Sequence, residues 1–320
     1  MKKVVSLILA VLMLATLCVS FASCGGSNQK YTIGICQLVT HDALDAATQG
    51  FKDAVEKGLG KDNVEFIFQN AANDSNTCTT IVASFVSKDV DLIMANATPA
   101  LQAAYNATDK IPILGTSITE YGVALGLDNF NGTVGSNVSG TSDLAPLTEQ
   151  ADALIELFPE AKNVGLLYCS AEPNSEYQVK VIEEYLATKN ITTARFSFSD
   201  SNDVRTVTEN AASQSDVIYI PTDNTAASCT EVIDSVIRQK NVPVFAGESG
   251  ICSGCGVATL SIDYYDLGYK TGEMAVEILK NGKDIRTMAI EYAPATKKYN
   301  AEMCEYFNIT VPEGYVALGE

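Results

Sequence analysis

Beyond residue 30 the chain alternates short apolar runs with longer amphipathic stretches, at intervals of roughly 25–30 residues. The runs Tyr31–Cys36, Val64–Phe68, Val90–Met94, Ile111–Gly115, Val164–Tyr168, Ala194–Phe198, Val217–Ile220, Val242–Ala246 and Val257–Ile262 predict strands. Most are nearly continuous apolar runs, as expected of strands covered on both faces in a parallel sheet. Between them apolar residues recur at helical spacing. Ala47, Phe51, Ala54, Val55 and Leu59 form one stripe, and Cys78, Ile81, Val82, Phe85 and Val86 a second. Leu267, Thr271, Met274, Ala275, Ile278 and Leu279 form a third, ended by Gly282 at a C-cap position. Repeated strand–helix units predict a doubly wound α/β architecture. Asp128–Ser142, rich in Gly, Asn and Ser, reads as a crossing segment between two similar α/β lobes with a cleft between them.

The N-terminus has a different pattern. Lys2 and Lys3 precede an apolar stretch from Val4 to Val19, interrupted only by Ser6, Thr16 and Cys18. Phe21-Ala22-Ser23-Cys24 follows, then Gly25-Gly26-Ser27-Asn28. Small residues directly before a cysteine predict a lipoprotein signal peptide over 1–23, a lipidated Cys24 and a tether over 24–30. An ordinary secretory signal or an uncleaved anchor are the alternatives. Each puts the mature chain outside the cytoplasm. No second apolar run reaches the about 20 residues needed to span a bilayer.

With 320 residues, 47% hydrophobic and 19% charged, the chain is globular and long enough for two domains. Its net charge of −18 and its lack of Lys or Arg runs argue against nucleic acid as a partner. One histidine, His41, excludes a metal site built on several. Besides Cys18 and Cys24 there are seven cysteines, an odd number. Cys252-Ser253-Gly254-Cys255 forms a CxxC, open to reading as buried thiols, a local disulfide or a functional pair, with no second ligand pair for zinc.

In open parallel sheets ligands sit at the carboxyl ends of strands. The loops there carry Gln37 to Asp45, Asn96 to Ala100, Gly115 to Ser117, Ser170 to Ser175, Pro221 to Thr225, Gly247 to Gly250 and Asp263 to Tyr265. Thr98-Pro99 reads as a helix start with proline at the first position, and Asn174-Ser175 and Thr222 to Thr225 read similarly. Helix N-termini hold a carboxylate without arginine. Glu172, Asp223, Glu248 and Asp263 would face them, and the pairing of N–H donors with acids suits a zwitterion. Tyr121, Tyr264 and Tyr265 are candidates to flank an aromatic ring. Each of these residues also has a plain reading as a cap or a loop hydrogen bond. Enzyme signatures are weak: neither a P-loop nor a GxSxG elbow occurs.

The segments GICQLVTHDALDAATQGF, MANATPALQAAYNAT, IPILGTS, SGTSDLAP, AEPNSEYQV, YIPTDNTAAS, VPVFAGESG and IDYYDLGYKTGEMAVEIL resemble, in this order, the substrate-binding lipoproteins of ABC importers associated with tryptophan, tyrosine and phenylalanine uptake. The resemblance implies a type I periplasmic-binding-protein fold: two Rossmann-like lobes joined by three crossings. Residues 31–143 plus 247–285 would form lobe 1, and 144–246 plus 286–320 lobe 2. It implies ligand contacts at Gln37, His41, Asp45, Thr98, Pro99, Thr116, Ser117 and, in the crossing strand, Asp143. Lobe 2 would add Glu172, Asn174, Ser175, Asp223 and Asn224, and the returning segment Glu248 and Asp263. The implied function is capture of an amino acid by lobe closure, by a lipid-anchored monomer that serves a membrane permease, without catalysis, cofactor or metal. A sensory receptor of the same fold is the alternative, and an extracellular enzyme using His41 or the CxxC a more distant one.

Overall fold

The computed structural model describes residues 30–319. The expected signal peptide, Cys24 and the tether lie outside them. The first sheet begins with β1 (Tyr31–Gln37), α1 (Asp42–Leu59), β2 (Val64–Asn70), α2 (Ser75–Ser87), β3 (Leu92–Asn96), α3 (Thr98–Ala107), β4 (Ile113–Ile118), α4 (Tyr121–Leu125) and β5 (Val138–Ser142). The chain then builds the second lobe from α5 (Leu147–Leu157), β6 (Asn163–Cys169), α6 (Pro173–Thr188), β7 (Thr192–Phe198), α7 (Val204–Ala212) and β8 (Val217–Ile220). The short α8 (Asn224–Ala227), α9 (Thr230–Lys240), β9 (Val244–Ala246), α10 (Ser249–Cys255) and β10 (Ala258–Ser261) complete that run. It returns with α11 (Tyr264–Leu279) and β11 (Glu291–Tyr292), and crosses once more to β12 (Thr296–Tyr299), α12 (Ala301–Tyr306) and β13 (Val316–Ala317).

The strand order is β11-β5-β4-β3-β1-β2 in the first sheet and β13-β12-β10-β9-β8-β6-β7 in the second. All pairs are parallel except β10 with β12. The strand order reverses beside β1 and beside β6, the switch points where α/β sheets open a crevice. The inner strands of both sheets are largely apolar because helices cover both faces. Ile33, Ile35, Leu92 and Met94 pack under α1 and α11, and Leu166, Leu167, Ile218 and Phe245 form the second core.

Two boundaries differ from the sequence reading. Residues 247–261 remain in the second lobe, because β10 pairs with β9 and β12 and α10 buries Ile251, Cys252 and Cys255 in that core. Residues 286–292 stay in the first lobe, because β11 pairs with β5 and Met288 packs beneath the first sheet. The return therefore begins at α11, whose close approach to α1 is set by glycine. A Cβ on Gly268 would stand 1.9 Å from the Ala47 carbonyl oxygen. The Asp128–Ser142 segment, read as crossing, ends in a strand of the first sheet, β5, directly before the chain passes to the second lobe. The β5 residues Ser139, Gly140 and Thr141 are buried but small and carry no hydrophobic period. At Gly140, φ is +142° and a Cβ would meet Gly115 O at 2.0 Å, so only glycine fits. The CxxC lies on α10 as two buried free thiols.

Candidate functional site

The carboxyl ends of the two sheets meet. Asn73 Nδ2 donates to Thr225 Oγ1 at 3.1 Å, and His41 Nε2 lies 3.4 Å from Asn224 Oδ1. Tyr264, the first residue of α11, donates its hydroxyl to Asp143 Oδ2 at 3.0 Å.

On the first-lobe side, three neighbouring strand ends make one surface. Ala97 N donates to Thr116 O, and Asp143 N to Ile118 O, so the ends of β3, β4 and β5 are tied together. The backbone is strained here. Ala97 has φ 87° and ψ 157°, a region almost reserved for glycine, and Ser117 has φ 55°. Such conformations cost about 1–3 kcal/mol each and cluster at functional sites. Ala97 is also the N-cap of α3, one residue earlier than expected, with Thr98 and Pro99 buried in the first turn. A methyl group cannot cap, so the first-turn N–H groups of Thr98 and Ala100 have no side-chain acceptor. Ser117 Oγ and Asp143 Oδ1 are buried without a hydrogen-bond partner, and so are His41 Nδ1 and, across the cleft, Asn174 Oδ1. Buried polar atoms are ordinarily paired. Burial pushes Asp143 up to about 6, with the Tyr264 and Thr119 hydroxyls acting in the opposite direction. Burial lowers His41, against its hydrogen bond to Asn224.

The remaining first-lobe candidates serve the scaffold. Gln37 is saturated: its Nε2 donates to Val39 O and Asp45 Oδ1, and its Oε1 accepts from Thr48. Asp45 itself is exposed. Thr116 Oγ1 stands in a buried hydroxyl chain with Thr141 and Thr271.

The second-lobe acids are also used, by their own helices. Asp223 caps α8 through Ala226 N at 2.8 Å and accepts from Cys169 N at 2.6 Å. Glu248 caps α10 through Gly250 N and Ile251 N. Burial, then the Glu172 charge, raises Asp223 to about 8, and burial raises Glu248 to about 7. Glu172 accepts from Asn224 and Thr225. Asn174 Nδ2 donates to Thr222 O, Glu172 and the Oγ of the buried Ser175. Asp263 is exposed and caps α11 through Asp266 N, so it is not part of the buried surface. Among the tyrosines, Tyr121 is a core residue whose hydroxyl donates to Gly115 O and Thr141 O, and Tyr265 is 39% exposed and bound to Asp53. Only Tyr264 reaches the cleft. Asn73 was not singled out from sequence, and Thr225 was read only as the last residue of the Thr222 to Thr225 helix start. The usable signal was position, since Asn73 follows the second strand. Among the described residues, no group of three or more His, Cys, Asp or Glu could hold a metal.

Comparison with known proteins agrees with this geometry. The model of a family described as ABC transporter substrate binding protein matches residues 32–317. A tyrosine-binding protein of Clostridioides difficile is 38% identical over 297 residues, 89% of this chain and 86% of that one. The crystal structure of an ABC domain in complex with L-Trp from Streptococcus pneumoniae is 30% identical, with a TM-score of 0.85, covering 89% of this chain and 97% of that one. The ligand-free, open structure of a substrate-binding protein with adhesive properties from Clostridium difficile is 37% identical but has a TM-score of only 0.68, covering 90% and 99%. The chain overlays better on the L-Trp complex than on the open form, although the open form is nearer in sequence. The chain belongs to the ABC transporter substrate-binding proteins, extracytoplasmic components that bind a small molecule and work with a membrane permease.

Proposed function

We propose that this chain captures a free aromatic amino acid between its lobes and delivers it to an ABC permease. The observation that carries the reading is the unpaired, buried Asp143 Oδ1 beside the uncapped start of α3 and the unpaired Ser117 Oγ. Neighbouring strands lie about 4.8 Å apart, so a zwitterion over the end of β4 meets N–H donors on the β3 side and a carboxylate on the β5 side. The ligand carboxylate takes the Thr98 and Ala100 N–H groups and the Ser117 hydroxyl. The ammonium takes Asp143, in place of Asp223, Glu248 or Asp263, whose oxygens serve helix caps. Asn174 Oδ1 supplies an acceptor from the second lobe, with His41, Pro99 and Tyr264 close to the buried ligand. The aromatic class is supported by the tyrosine-binding relative and the L-Trp complex. The mature chain acts as a monomer, lipidated on Cys24, and carries out no turnover.

A thermal-shift panel of amino acids, purines, sugars and short peptides on the chain from Ser27 onward tests this. A ligand at 100 times its Kd stabilises by about 2.7 kcal/mol. A rise confined to aromatic amino acids supports the proposal. A rise with only another class overturns the ligand assignment.

A further inference from the structure

Glu172, at the end of β6, is buried and holds five hydrogen bonds, all from uncharged donors. Thr225 N and Thr225 Oγ1 reach Oε1, both at 2.8 Å. Asn224 N at 3.0 Å, Asn224 Nδ2 at 2.7 Å and Asn174 Nδ2 at 3.3 Å reach Oε2. A carboxylate offers about four lone-pair positions, so nothing remains for a ligand. What Glu172 does instead is immobilise Asn224 and Thr225, holding both the backbone and the side chain of each.

Those two residues are also the ones the first lobe reaches. Asn73, in the loop after β2, donates to Thr225 Oγ1, and His41, in the loop after β1, lies against Asn224 Oδ1. Glu172 sets the direction of both contacts. Thr225 spends its only hydroxyl hydrogen on Glu172 and so presents lone pairs to Asn73. Asn224 turns its amide nitrogen to Glu172 and so presents its carbonyl oxygen to His41. That in turn assigns the imidazole proton to Nε2. The first-lobe side is held as well. Asn73 has φ 64°, a left-handed conformation that asparagine tolerates, and its N–H donates to Leu38 O.

We propose that Glu172 is a positioning residue for an interlobe latch. It holds Asn224 and Thr225 in one polarity, so that Asn73 and His41 fasten onto them when the lobes shut. The latch slows ligand escape through bonds between the lobes, and its Asn73–Thr225 half does so without a part in the proposed ligand site. This builds on the reading of the cleft as one that closes on an amino acid. The contacts exist only across shut lobes, so their loss acts on dissociation and leaves association alone.

The test has two arms. In the first, stopped-flow dissociation of L-tyrosine or L-tryptophan is compared in the wild type, Asn73→Ala, Thr225→Val, their combination and Glu172→Gln. Each single latch variant is expected to speed dissociation about 3- to 10-fold, from the loss of one hydrogen bond. The double variant is expected to match the faster single, because both remove the same bond. Glu172→Gln, which puts an amide nitrogen among five donors, is expected to be at least as fast. The association rate of both variants and the ligand-free melting temperature of Asn73→Ala stay where they are, while Thr225→Val, which also loses its hydroxyl bond to Glu172, melts lower without ligand. Unchanged dissociation, additive effects, or a fall in ligand-free melting temperature without a dissociation effect would overturn the latch. In the second arm, which needs no ligand, the Asn73→Cys/Thr225→Cys variant is oxidised with diamide and followed on non-reducing gels. A crosslink that forms at least fivefold more slowly when Glu172→Gln is added supports positioning; equal rates overturn it. If the wild type binds neither amino acid, the aromatic reading fails, and the second arm decides the latch on its own.

Discussion

The two rims of the cleft hold the same kinds of residue in opposite states. On the first-lobe rim the backbone is strained at Ala97 and Ser117, α3 starts without a cap, and Ser117 and Asp143 each carry an unpaired buried oxygen. On the second-lobe rim Glu172, Asp223 and Glu248 each accept two backbone N–H groups; Asp223 and Glu248 cap the helices that follow them, and Glu172 serves the start of α8. The difference teaches that an acid at a strand end is available to a ligand only if nearby N–H groups leave it free. In the proposed site, polar recognition is therefore concentrated in the first lobe. The second lobe is largely prearranged, with Asn174 Oδ1 as its unpaired contribution.

The largest expected effect that would break this comparison is at Asp143. Asp143→Asn should weaken amino acid binding by about 2–5 kcal/mol, the cost of leaving a buried charge unpaired, while ligand-free stability holds. Calorimetric titration reads the first and thermal melting the second. Asp223→Ala should behave in reverse. It strands the N–H groups of Cys169 and Ala226 and should cost about 2 kcal/mol in denaturant unfolding, with affinity kept within a few-fold. Comparable affinity losses in both variants would erase the contrast between the rims. Ser117→Ala should weaken binding about tenfold, the value of a hydrogen bond to a charged group.

Two pH effects sharpen the contrast. An ammonium needs ionised Asp143, whose carboxyl is pushed up to about 6. Affinity should therefore fall by about tenfold per pH unit below pH 6, measured by titration between pH 4.5 and 7.5. The smaller effect concerns the ligand-free chain. Burial raises Glu248 to about 7 and Asp223 to about 8, so the folded state binds more protons than the unfolded one. That contribution is complete below the unfolded values and is lost as pH rises through the folded ones. His41, lowered by burial, is neutral in both states above its ordinary range. Melting temperature should therefore fall between pH 6.5 and 8.5, and Glu248→Gln with Asp223→Asn should flatten that slope.

Much of the fold was legible because strands covered on both faces are written as apolar runs. Val217–Ile220 was read with the bounds it has in the structure. β5 is not among the apolar runs, and only the resemblance implied a strand there, because close backbone contact at Gly140 selects small residues and erases the hydrophobic signal. The crossing was misplaced because the bond between β10 and β9 is a matter of pairing, and an apolar run such as Val257–Ile262 fits either sheet. Of the residues with unpaired buried atoms, His41, Ser117 and Asn174 lie in loops read from sequence as strand ends, and Asp143 came from the family resemblance. Their distinction from Gln37, Glu172 and Asp263 was not legible, because it depends on where each hydrogen bond goes. Asp45 and Asp263 look like acids at a cleft in one dimension and stand exposed in three.

The central claim is that Asp143 holds the ligand ammonium. The direct measurement is calorimetric titration of wild type and Asp143→Asn with an aromatic amino acid and with its analogue lacking the α-amino group. The account predicts that the wild type prefers the amino acid by at least about 100-fold, and that the preference collapses to a few-fold in Asp143→Asn. A preference that survives intact in the variant would contradict the account and place the ammonium elsewhere.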